Sequence, residues 1–197
     1  MSEMKSALER AMEKTEKLGK LTEDELKRLE YLPVGNRLAA KYLELERPNH
    51  ELEAELTKHK GTGARKYIIQ GAQETFLRNI SLPHHERNRQ VAKKAMAGLK
   101  LLKENKNQLD AVFERIENLF NYYEQALQQT FAQFKQNFED KIKRAAPVLQ
   151  QQAKNAAALE AGLQQQFQDE WRRVSGQLDS QYEKTLEEHK EQILKIA

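Results

Sequence analysis

Cysteine is missing from this chain altogether. That removes disulfides, zinc-thiolate sites and thiol catalysis from consideration, and it fits a reducing compartment. Aromatic residues make up only 7% of the chain, and there is a single tryptophan. A deep globular centre is hard to build from so few rings. A stripe along an elongated helix needs fewer. No run approaches the roughly 20 apolar residues that span a bilayer. The N-terminus has no apolar signal-peptide core, and it mixes Glu3, Glu9, Glu13 and Glu16 with its lysines, unlike an acid-poor transit peptide. A cytoplasmic location is the expectation.

Helix breakers are scarcest in the second half. Over 84–197 there is one proline, Pro147, and three glycines, Gly98, Gly162 and Gly176. Strand-forming runs of Val, Ile and Thr are nearly absent, so the chain reads as all-α. From Val91 the apolar positions Ala95, Leu102, Leu109, Ile116 and Tyr123 recur every seven residues, then drift onto Phe120, Leu127, Phe134 and Phe138. Past Pro147 the stripe is Leu159, Leu163, Phe167, Trp171, Val174, Leu178, Tyr182, Leu186, His189, Ile193 and Ile196. These patterns predict one helix from about His84 to Ala145, roughly 90 Å long, and a second to about Ile196, roughly 70 Å long. Pro147 marks a break near 146–148, either a hairpin turn or a kink. A fold-back is favoured because the two stripes then bury each other, giving an antiparallel hairpin or a kinked, coiled-coil-like rod.

Residues 1–82 are segmented instead. A helix is expected over Ser2–Leu18, ending at Gly19. A second opens at Thr22, where Thr22 and Glu25 form a capping box and Leu21 can staple onto Leu26. It is expected to stop at Pro33. Further helices are expected over Arg37–Glu46, His50–Lys60 and Ala64–Ile80, with Pro48-Asn49 and Gly61-Thr62-Gly63 between them. The domain division is thus 1–82 for short helices and 83–197 for long ones.

The net charge of +3 conceals a gradient, because residues 61–110 carry ten Lys and Arg against four Asp and Glu. Between Arg87 and Lys103 six cations occur with no acid. Arg89, Lys93, Lys100 and Lys103 fall within about 80° of each other on a helix, opposite Val91, Ala95 and Leu102. Such a face suits nucleic-acid phosphates or an anionic membrane surface, or simply a solvated surface, since no aromatic interleaves to stack bases. Lys60, Arg65 and Lys66 flank the two glycines before a helix N-terminus, where anions are favoured. The Walker A spacing is absent there, and a hinge is the plainer interpretation.

His84-His85-Glu86 raises the question of a metal, but neighbours on a helix diverge by about 100°. Glu55 and His59 have i,i+4 spacing without evident companions. No nucleophile sits in a recognisable catalytic context. We therefore expect no enzyme activity, no metal, no cofactor and no small-molecule substrate. The dense aromatics suggest apolar contact on more than one side. Candidate interface residues are Ile116, Phe120, Tyr123, Phe131, Phe134, Phe138, Leu163, Phe167, Trp171 and Leu178. The expected function is structural or scaffolding, through self-association or docking on a partner protein, with nucleic-acid or anionic-surface binding as the alternative.

The opening, Met4-Lys5-Ser6-Ala7-Leu8-Glu9-Arg10-Ala11 through Glu16-Lys17-Leu18-Gly19-Lys20-Leu21-Thr22, is similar to the starts of some uncharacterised bacterial helical proteins. The resemblance covers about the first forty residues and implies no activity.

Overall fold

The computed structural model describes residues 22–44, 50–152 and 156–196. Among them are six helices and no strand: α1 (Glu23–Glu44), α2 (Glu51–Lys58), α3 (Ala64–Arg78), α4 (Glu86–Leu102), α5 (Lys106–Gln152) and α6 (Ala156–Lys195). The fold is all-helical. The expected helix over Ser2–Leu18 and the interruption at Pro48-Asn49 lie outside the described residues. Two compact units divide between Arg78 and Asn79, four residues before the expected boundary. Among the described residues no helix is long and apolar enough to cross a membrane.

In the first unit, α1 starts as its sequence dictates. The Thr22 N–H and hydroxyl both donate to Glu25 Oε2 at 2.8 Å, and the Glu25 N–H donates back to Thr22 Oγ1 at 3.3 Å. The helix does not stop at Pro33. It continues to Glu44, merging the expected second and third helices. An interior proline costs about 3 kcal/mol, and packing against α3 offsets that cost. A Cβ at Gly35 would lie 2.1 Å from the Ile68 carbonyl oxygen, and one at Gly71 would lie 2.1 Å from that of Leu32. The two helices cross backbone on backbone at these glycines. Ala39 and Tyr42, further along the same face, are buried as well. Asn36 Oδ1 accepts from the Thr75 hydroxyl at 3.1 Å. Asp24 accepts from Lys66 Nζ at 2.7 Å and from the Tyr67 hydroxyl. Leu52 and Leu56 of α2 complete the core with Ile68, Ala72 and Phe76 of α3. Gly61, at φ +80°, makes the left-handed turn into α3.

The second unit departs from its sequence reading at Lys103. The single helix expected over His84–Ala145 is two helices, separated by an extended Lys103 (φ −108°, ψ 142°). Asn105 supplies the reason: its Oδ1 accepts the Gln108 N–H at 3.2 Å and caps α5. Beyond it α5 runs through Pro147 to Gln152, so no helix end falls at 146–148. A single lost N–H bond leaves the rest of a 47-residue ladder in place. The core gathers Ala92, Ala95, Met96, Leu99 and Leu102 of α4 with Leu109, Val112, Phe113, Ile116, Phe120 and Tyr123 of α5. Among the described residues of α6, only Leu186 and Ile193 are buried to the same degree. Contacts between α5 and α6 run in opposite chain order: Arg115 meets Gln192, Tyr123 meets Asp179, and Phe138 meets Phe167.

Candidate functional site

Burial is uneven along α5. Its first half, Leu109 to Tyr123, is packed by α4 and by the end of α6. Its second half has α6 alone beside it among the described residues. The drifted sequence stripe continues there as Phe134 and Phe138, with Phe131 beside it. Phe138 is buried, Phe134 is half-buried, and Phe131 is 40% exposed. From α6, half-buried Phe167 and Trp171 close on them. Ring centroids lie 4.9 Å apart for Phe131 with Trp171 and for Phe134 with Phe167, and 5.1 Å apart for Phe138 with Phe167. The rings meet edge-on or tilted, the arrangement aromatic quadrupoles favour. Leu163 and Leu178 flank the cluster, also half-buried. Ile116, Phe120 and Tyr123, candidates for the same surface, are wholly buried inside the unit. Five aromatic rings thus form one cluster, in which Phe138 is buried, Phe134, Phe167 and Trp171 are half-buried and Phe131 is exposed.

The basic residues divide differently. Arg89 is engaged within the chain: its guanidinium donates to Glu124 at 2.6 Å, to Glu117 at 3.0 Å and to Asn121 at 2.6 Å, and its side chain is only 15% exposed. Lys100 pairs with Asp110. Lys103 donates to the Ile196 carbonyl oxygen, and burial holds its pKa below the usual lysine range. Lys93 is exposed. In the first unit Lys66 sits over the Tyr67 ring at 4.6 Å, and its hydrogen bond to Asp24 raises its pKa. Lys60 and Arg65 are exposed. The helix face Arg89–Lys103 therefore presents Lys93 outward, while its other three members bind acceptors of this same chain.

A polar constellation went unread in the sequence. The buried Tyr123 hydroxyl donates to Asp179 Oδ1 at 2.7 Å and lies 2.9 Å from His84 Nδ1. Its one proton goes to Asp179, so His84 must carry a proton on Nδ1 and donate it. Tyr182 packs edge-on against Tyr123 at 5.3 Å. Spacing carries no sign of this, because the three groups come from three separate elements. Burial is the largest cause of a Tyr123 pKa well above the usual phenol range, and the bond to Asp179 adds to it. A hydroxyl so raised keeps its proton and acts as a structural donor. His84 meets this tyrosine, and among the described residues no group of three His, Asp or Glu could hold a metal ion.

A protein-family model, that of the family of unknown function DUF6657, matches residues 53–195. The match begins within α2 and takes in nearly all of the second unit, whereas the sequence resemblance was confined to the first forty residues. No curated protein and no solved structure matches the chain.

Proposed function

The chain belongs to this family of unknown function, and we propose that it is a non-enzymatic structural protein that docks a protein chain along the distal half of its long helices. In this proposal α5 and α6 fold back on each other as an antiparallel hairpin. The opposite order of their contacts supports that arrangement. So does Lys141, which meets Glu170 at 2.8 Å further along.

One observation carries the docking role: around the buried Phe138, the aromatic cluster leaves Phe131 40% exposed and Phe134, Phe167 and Trp171 half-buried. Large exposed apolar patches are uncommon on isolated chains and mark interaction sites. Aromatic residues are also the side chains most enriched where binding energy concentrates. Binding of nucleic acid or an anionic surface has less support. Arg89, Lys100, Lys103 and Lys66 would each have to leave an acceptor of the chain to meet a phosphate.

The test is site-specific photocrosslinking in the host cell. A crosslinker at position 131 is expected to trap a protein chain, and one at Lys93 to trap none. Absence of any protein adduct at 131, with nucleic acid trapped at Lys93, would replace the docking role with the basic-face alternative.

A further inference from the structure

We propose that the occupant of the distal aromatic face is a second copy of this chain, forming a four-helix assembly around the Phe131–Trp171 cluster. This rests on the docking role above and names its partner. Area is the first argument. Over 125–146 the face is about 33 Å long, and two helices side by side are about 20 Å across. Two such faces would bury about 1,300 Å² in total, within the roughly 1,200–2,000 Å² that specific, stable interfaces bury.

Charge is the second argument. The distal part of α5, 125–146, carries four Lys and Arg against two Asp and Glu. The facing part of α6, 157–178, carries two against three. A two-fold axis parallel to the helices sets α5 of one copy beside α6 of the other, so a net positive helix meets a net negative one twice. The Lys141–Glu170 pair shows the same match within one chain. Aromatic rings on both helices of the face make it complementary to itself, as a two-fold interface requires.

Trp171 is the only tryptophan and lies within the cluster, so its emission reports on this face alone. The experiment is sedimentation velocity on the full chain across a dilution series, with Trp171 emission followed in parallel. The expected result is a mass of twice 23.0 kDa at high concentration. Dilution should halve that mass and red-shift the emission with the same midpoint. F131E is expected to raise the midpoint tenfold or more with circular dichroism unchanged, and F131Q to raise it less. Tyr122→Glu, on the opposite side of α5, should leave it in place.

A 23.0 kDa species at every concentration overturns the proposal, whether Trp171 is exposed or shielded by the chain itself. A dimer whose emission does not change on dissociation also overturns it, because association then uses another surface. A monomer that still crosslinks to a different protein at position 131 removes the second copy but leaves the docking role standing.

Discussion

The Tyr123 hydroxyl joins α5 to α6 by donating to Asp179 Oδ1 across 2.7 Å, inside a ring cage that leaves the tyrosine no solvent exposure. It is the last wholly buried side chain of α5 before the half-covered aromatic segment begins. One hydrogen bond therefore marks the border between the closed and open parts of the helix pair.

Tyr123→Phe keeps the ring and removes the oxygen, leaving Asp179 and His84 each without this partner. A loss of about 1–3 kcal/mol is expected, the cost of an unsatisfied, partly buried polar group. Chemical denaturation measures it. The alkaline limb provides a second readout. The folded-state pKa of Tyr123 is raised, so its contribution is complete below about pH 10, the pKa of the unfolded phenol. It fades as pH rises from there toward the folded-state value. The wild type should lose stability above about pH 10 more steeply than Y123F.

Gly35→Ala should destabilise the first unit by about 3 kcal/mol, the upper range for overpacking, because its methyl would meet the Ile68 carbonyl at 2.1 Å. Gly71→Ala should behave alike. Gly162→Ala is the opposing control, since nothing lies within 4 Å of a Cβ there. That substitution is expected to stabilise α6 by roughly 0.5–1 kcal/mol through backbone entropy. Thermal melts of the three variants separate the two effects.

Arg89→Ala leaves Glu117 and Glu124 facing each other without their cation. A loss of about 1–3 kcal/mol is expected, consistent with charge-assisted hydrogen bonds at a mostly covered arginine. Arg89→Lys should recover only part of it, because a compact ammonium lacks the planar guanidinium fork that spans acceptors on Glu117, Asn121 and Glu124. Lys93→Ala, at an exposed position, should change the melting temperature little. Equal effects at 89 and 93 would contradict the network.

Local chemistry was legible, and distant compensation was not. The Thr22–Glu25 capping box could be read because its two residues lie three apart and need nothing else. Pro33 reads as a stop because its cost is local, while the packing that offsets it comes from Gly71 on another helix. Asn105 falls inside the helix expected over His84–Ala145, although its capping amide is a signal that the sequence carries. Arg89 reads as an outward cation because its carboxylates lie 28 and 35 residues away. The aromatic stripe was visible as a stripe. Its division at Tyr123 into a buried part and an open part was not, because periodicity reports which face is apolar and not how many helices cover it.

The Gly35–Gly71 crossing also has a genetic consequence. When a side chain is overpacked against another side chain, a second mutation can shrink the neighbour and restore the fit. Here the neighbour is the main-chain oxygen of Ile68, and on the other side that of Leu32. No codon change makes a carbonyl smaller. A suppressor search starting from Gly35→Ala should therefore return reversion to glycine, or compensation elsewhere in the first unit, but no substitution at the point of contact itself.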